Sequence, residues 1–151
     1  MQIQWVLKSF SELELQQLYA ILQLRNEVFV VEQNCVFQDA DDKDQKAYHL
    51  MGFTENKLIA YTRIVPPGVI YKDASIGRVV TSPLVRGNGA GKLLMQQSID
   101  HTYKLFGKIS IKIGAQLYLQ KFYEGLGFEK CSEIYLEDDI PHIHMIKNIL
   151  S

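Results

Sequence analysis

The sequence predicts a mixed α/β fold, a largely antiparallel central sheet with helices on both faces. Three observations predict it. Tyr48 to Thr54 and Leu58 to Val65 are strand-like runs separated only by Glu55-Asn56-Lys57. So short a connector makes a hairpin, and Asn56 can take the positive φ such a turn needs. A second pair, Ile134 to Glu137 and His142 to Ile149, closes around Asp138-Asp139. Between the pairs, Ser75 to Thr81 runs through a glycine-rich turn into a helix and then a strand at Lys108 to Ile113. Hairpins joined by one β-α-β passage give a mixed sheet that must be covered on each face.

The remaining elements follow in chain order. Ile3 to Lys8 reads as a first strand. Ser11-x-x-Glu14 has the form of a capping box that opens a helix reaching about Phe29. Its apolar stripe is Leu15, Leu18, Tyr19 and Leu22, and Val28 to Val31 continues the helix or breaks it against the core. Gln38 to Gln45 is dense in charge and reads as an exposed loop. Pro66-Pro67-Gly68 ends the first hairpin, and Val69 to Asp73 connects to the central strand. The helix from about Gly89 to Lys104 buries Leu93, Leu94, Gln97 and Ile99 or their neighbours. Gln116 to Gly125 is a short helix whose glycine cap precedes Phe128.

Composition limits what such a chain does. Its 151 residues suit a single domain, residues 1–151, with one substantial core. Hydrophobic residues at 47% and charged residues at 22% are ordinary for a soluble globular protein. Sixteen basic residues against seventeen acidic ones leave a net charge near −1, so neither a nucleic-acid nor a membrane partner is expected. The N-terminus has no basic segment leading an apolar run, and no stretch has the length of a membrane span. Cys35 and Cys131 have no metal-ligand spacing and read as reduced thiols of a cytoplasmic protein that needs no metal.

The informative stretch is Ser75 to Leu94. Ser82-Pro83 stops its strand, because proline brings no N–H to the ladder. Gly87, Gly89 and Gly91 then lead into the helix. The first helical N–H groups lack intrahelical acceptors and favour an anion, and glycines let a phosphate approach the backbone. Two familiar loops are excluded. In a mononucleotide P-loop, Gly91-Lys92 would be followed by Ser or Thr and preceded at position 86 by glycine; here Leu93 and Arg86 stand there. The dinucleotide fingerprint fails because Lys92 occupies its third glycine position. What remains is Arg86-x-x-Gly89-x-Gly91, a phosphate cradle with its own positive charge.

Arg86-x-x-Gly89-x-Gly91 between strand and helix resembles the signature R/Q-x-x-G-x-G/A of the GNAT superfamily of N-acetyltransferases. The resemblance covers nearly the whole chain. Within the superfamily the sequence is similar to the small ElaA-like acetyltransferases. The residues that carry this are Leu24-Arg25-x-x-Val28-Phe29-Val30-Val31-Glu32-Gln33, Ile76-Gly77-Arg78-Val79, Gly114-Ala115-Gln116 and Ile140-Pro141-His142-Ile143. The resemblance implies the GNAT fold, in which the strands carrying Val79 and Ile111 splay apart beyond a bulge and admit the cofactor. It implies acetyl-CoA as cosubstrate, with Val79, Val80 and Thr81 bonding the pantetheine arm. Arg86, Gly87, Asn88, Gly89, Ala90 and Gly91 would take the pyrophosphate. Gln116 stands where the family often has an Asn that contacts pantetheine.

Attack of an amine on a thioester needs donors for the developing oxyanion, an exit for the amine's proton and an acid for the leaving thiolate. Val79 or Val80 N–H is nearest the expected carbonyl oxygen. Phe122-Tyr123-Glu124-Gly125-Leu126-Gly127-Phe128 resembles the family's Y-x-x-x-GF helix, which implies Tyr123 as the acid facing the sulfur. For the proton acceptor the sequence leaves Glu32, His49, His142, His144 or an ordered water. Glu32, Gln33, His49 and Arg78 are candidates for the acceptor site. Asp39 to Asp44 and Glu137-Asp138-Asp139 read as solvated charge that could also steer a cationic amine.

The expected activity is direct acetyl transfer, within a ternary complex, to a primary amine of a small molecule or peptide, by a monomer or homodimer. The alternative is a non-catalytic acyl-CoA-binding or regulatory module of the same fold. A covalent route through Cys35 or Cys131 lacks an obvious His/Asp partner in sequence, and a nucleotide hydrolase lacks its hydroxyl and Mg²⁺ carboxylate.

Overall fold

The structure, a computed structural model, describes residues 2–149. Strand β1 (Gln4–Ser9) leads through a 3-10 turn at Phe10–Glu12 to helix α1 (Leu15–Arg25), which widens into a π-helical segment at Asn26–Glu32. Strands β2 (Tyr48–Thr54), β3 (Lys57–Val65) and β4 (Ser75–Thr81) follow, then helix α2 (Ala90–Phe106) and strand β5 (Ile111–Gln116). Helix α3 (Gln120–Glu124) precedes the short strands β6 (Glu129–Lys130) and β7 (Tyr135–Glu137) and the long β8 (Ile140–Lys147).

Strands β1-β2-β3-β4 form one antiparallel sheet, and β5-β8-β6 a second, with β7 also paired to β8. The sheets meet at a parallel bridge between Ala74 and Ile111, where Lys112 N–H donates to the Ala74 carbonyl at 2.8 Å. Beyond it β4 and β5 share no ladder, so the predicted splay lies between them. Strand β4 also carries the expected bulge: Tyr61 opposes Val80, but Arg63 opposes Gly77. The extra residue is accommodated with Arg78 at φ 50°, a conformation uncommon for a side-chain-bearing residue.

Alternation along the strands feeds two cores. Leu50, Ala60, Ile64 and Ile76 pack under Leu94 and Met95 of α2, together with Ile111, Ile143 and Met145 of the second sheet. On the opposite face Met51, Leu58, Tyr61 and Val80 pack against Ile21, Leu24 and Val28. The two predicted hairpins are present, with Glu55-Asn56 at φ 49° and 65° and Asp138-Asp139 at φ 51° and 63°.

Several details differ from expectation. Helix α1 buries Ile21, Leu24 and Arg25, while Leu15, Tyr19 and Leu22 lie exposed on the face predicted to be core. The buried stripe carries Ile21 and Leu24 into the core and Arg25 onto Asp39 and Asp44. The helix starts at Leu15, with Gln17 accepting from Glu14 N–H, and Glu12 rather than Glu14 closes the turn begun at Ser9. In α2, Leu93 is exposed and Met95, Ser98 and Thr102 are buried beside Leu94 and Ile99. Strand β5 begins three residues later than Lys108, and Leu117–Leu119 forms a separate 3-10 turn before α3.

The largest correction concerns the acidic loop. It is not solvated charge. Arg25 Nε donates to Asp39 at 2.6 Å and its Nη1 to Asp44 at 2.8 Å. Arg63 bridges Asp41 at 2.7 Å and Asp44 at 3.0 Å, and Arg78 pairs with Asp39 and Asp41. Three arginines and three aspartates thus compensate one another beneath and beside the bulge. Burial alone would raise the Asp41 carboxyl, but its hydrogen bonds and charge pairing with Arg63 and Arg78 outweigh that and hold it at about 2.

Candidate active site

The splay opens into a cavity of about 860 Å³. One wall is the π-helical segment, which aims Phe29, Glu32 and Gln33 inward; the opposite wall comes from β5, α3 and the start of β8. The floor is β4 from Ile76 to Thr81, whose cavity-side edge has no strand partner past the bridge among the described residues.

Of the predicted cofactor residues, Val79, Val80, Thr81, Arg86, Gly91 and Gln116 line this cavity. Gly87, Asn88, Gly89 and Ala90 lie outside its lining and form the turn at its mouth. Gly87 at φ 86° and Gly89 at φ 74° are in the left-handed region, and Gly89 caps α2. Leu93 N–H to Gly89 O, at 3.2 Å, is the first bond of the helix, so the N–H groups of Ala90, Gly91 and Lys92 precede the intrahelical ladder. Gln116 Nε2 reaches Gln33 Oε1 at 3.4 Å across the cavity.

Arg86 is not idle. Its guanidinium grips Glu32 through Nη1 and Nη2 at 2.5 and 2.6 Å, and both side chains remain partly exposed. The hydrogen bonds from Arg86 hold the Glu32 carboxyl below the usual carboxylate range. So held, Glu32 is a poor proton acceptor.

Tyr123 is 5% exposed, and its ring is fixed edge-on between Phe122 (centroids 5.1 Å apart) and Phe128 (6.0 Å). Burial pushes its phenol up to about 12, so it carries its proton at neutral pH. Its hydroxyl bonds to no described residue, and the side chain lines the cavity.

His49 is elsewhere. It has no exposed surface, is absent from the cavity lining, and both its nitrogens are taken: Nδ1 by the Tyr61 hydroxyl at 2.6 Å and Nε2 by the Asp44 carbonyl at 2.9 Å. Burial lowers its imidazole, which stays neutral as a spacer under the arginine–aspartate cluster. Arg78 lines the cavity, but its guanidinium is engaged by Asp39 and Asp41. His144 lies outside the lining, between the rings of Tyr71 and Tyr135. His142 is in the lining.

The sequence reading missed part of the wall. Cys35, Phe37, Gln38 and Asp41 border the cavity because the acidic loop folds back over it. The signal was the pairing of those aspartates with arginines at positions 25, 63 and 78, which adjacency in sequence does not reveal. Burial raises the Cys35 thiol, which donates to the Asp138 carbonyl at 3.4 Å; Cys131 is exposed and off the cavity.

Comparison with known proteins agrees with this architecture. The family model for the acetyltransferase (GNAT) domain matches residues 23–149. Protein ElaA of Escherichia coli is 40% identical over 150 residues, covering 98% of each chain. Among solved structures, an acyl-CoA N-acyltransferase from Pseudomonas aeruginosa superposes with a TM-score of 0.93 at 41% identity, covering 97% of this chain and 99% of that one. An aminoglycoside 6'-N-acetyltransferase complexed with coenzyme A shares the fold alone, with a TM-score of 0.72 at 16% identity over 97% and 98% of the two chains. A family model spanning most of the chain, relatives alike over nearly their whole length, and a sheet split at β4 and β5 lead to one conclusion: the chain belongs to the GNAT family of acetyltransferases.

Proposed function

We propose that this acyltransferase moves an acetyl group directly from acetyl-CoA to a primary amine of a small molecule or peptide, in a ternary complex and without a metal. The observation that carries the reading is the open edge of β4 running into the glycine turn of α2. An extended pantetheine arm fits that edge by main-chain pairing, as an added strand does. The diphosphate then falls at the N-terminus of α2, where unpaired amides and the helix dipole favour negative charge. Arg86 would exchange Glu32 for phosphate, a partner of higher charge. The thioester carbonyl comes beside the bulge at Val79 and Val80, whose backbone N–H groups are the candidate donors to the oxyanion. Tyr123, proton-loaded and unpartnered, supplies the proton to the departing sulfur. A covalent route is disfavoured, because a buried thiol of raised proton affinity such as Cys35 is a weak nucleophile.

The test is twofold. Calorimetry with acetyl-CoA should show one site, weakened by about tenfold or more in Arg86→Ala or Gly89→Asp, as loss of a charge-assisted bond or introduction of a like charge predicts. Thiol release with spermidine, ethanolamine, L-lysine and a lysine-bearing peptide should identify an accepted amine. Tight acetyl-CoA binding with no amine-dependent thiol release would favour a non-catalytic binding module, and wild-type affinity in both variants would overturn the placement of the cofactor.

A further inference from the structure

We propose that His142 is the proton acceptor for the incoming amine, with Glu137 as the charge that steadies it; this rests on the acetyl-transfer reading above. His142 lies on β8, one residue past Pro141, is 7% exposed, and is the only histidine in the cavity lining among the described residues. Its tautomer follows from its partners. Nδ1 lies 2.7 Å from the Ile140 carbonyl, which can only accept, so Nδ1 carries the hydrogen. In the neutral ring the lone pair is therefore on Nε2. That atom stands 3.6 Å from Glu137 Oε2, beyond hydrogen-bond distance but within ion-pair reach of the carboxylate.

The other groups facing His142 leave that role open. On β7 the Tyr135 ring stacks on the imidazole at 5.8 Å, and its phenol is pushed up to about 12, chiefly by burial, so it stays neutral. Across the β5 register stands uncharged Gln116. Along β8, His144 is lowered by burial and by Lys112, whose ammonium sits 4.8 Å over the Tyr71 ring. At the β7–β8 turn are Asp138 and Asp139, with the protonated Cys35 thiol donating to the Asp138 carbonyl. The cavity-lining anions on this side are Glu137 and Asp138, which also suit an acceptor arriving as an ammonium ion.

The step balances simply. His142 Nε2 takes one proton from the ammonium. The freed nitrogen lone pair forms the C–N bond at the thioester carbon, and the C–S bond breaks with its electrons on sulfur. A second N–H proton passes to that sulfur through the Tyr123 hydroxyl, and His142 returns its proton to water.

The experiment uses the full chain, acetyl-CoA and the best acceptor of the four amines named above. Wild-type kcat should rise with pH to a plateau along a limb of unit slope. In His142→Gln, kcat at pH 7 should fall about a hundredfold, within the range of general-base effects, with that limb lost and acetyl-CoA affinity unchanged. Glu137→Gln, a change at an exposed side chain, should lower kcat without altering the KM for acetyl-CoA. A His142→Gln enzyme that keeps the limb and the wild-type kcat overturns the proposal. Should that variant fail to bind acetyl-CoA, Glu137→Gln decides: a lowered kcat at unchanged KM for acetyl-CoA supports the assignment and a wild-type kcat overturns it. Absence of turnover in the wild type with every amine would instead overturn the acetyl-transfer reading, and this assignment with it.

Discussion

At the scale of single residues, the site is built from side chains whose partners fix their protonation. Tyr123 and Glu32 are opposite examples. The tyrosine keeps its proton because its surroundings are apolar rings; the glutamate loses its proton because an arginine grips it. Tyr123→Phe removes only an unpartnered hydroxyl, so acetyl-CoA affinity and thermal stability should hold while kcat falls about a hundredfold. Calorimetry and initial rates on one preparation check both halves. Glu32→Gln frees Arg86 for phosphate. Exposed pairs are worth about 0–1 kcal/mol, so affinity for acetyl-CoA should rise by up to about fivefold, again by calorimetry. The place of Tyr123 in the cavity wall was legible through the resemblance that its flanking Gly125, Gly127 and Phe128 carry. The buried role of His49 was not, since nothing adjacent to it announces that Tyr61 and Asp44 occupy both its nitrogens.

At the scale of elements, the loop carrying Asp39, Asp41 and Asp44 behaves as part of the core. Asp44→Asn leaves Arg25 with Asp39 and Arg63 with Asp41 but the cluster with one positive charge in excess, a loss of up to about 3–5 kcal/mol readable from urea unfolding. The acid response has a definite sign. The Asp41 carboxyl titrates at about 2 in the fold and near 3.9 when unfolded. Its contribution is present above about pH 4 and is lost as pH falls through about 2; Asp44 is shifted in the same direction. Tm followed from pH 5 to pH 2 should decline over that window, and less in an Arg63→Met/Asp41→Asn pair. Strands and hairpins were readable because alternation and turn residues are local signals. Helix α1 was misjudged because its exposed stripe of Leu15, Tyr19 and Leu22 is more apolar than the buried one, which includes Arg25. A charged loop is read as solvated unless its counter-charges are known, and these come from three distant elements.

At the scale of the whole molecule, two half-sheets are tied by one bridge at Ala74 and Ile111 and held apart by the cavity. A ligand that lies between them stabilises both. Acetyl-CoA at a hundred times its Kd should contribute about 2.7 kcal/mol, seen as a rise in Tm that Gly89→Asp suppresses at the same concentration. The general plan was legible through the family resemblance that the glycine turn carries, which implied strands splayed at Val79 and Ile111; the wall formed by Cys35, Phe37, Gln38 and Asp41 was not, because the acidic loop is paired with arginines distant in sequence. The π-helical segment sets how that wall is presented. Each helical residue advances the chain by about 100° around the axis, and the wide turn at Asn26–Glu32 accommodates one more residue than a regular helix would. Excising a single residue there would close the wide turn into a regular helix while keeping Glu32 and Gln33 on about the same face, so the wall would lose its swelling into the chamber but not the groups that meet Arg86 and Gln116.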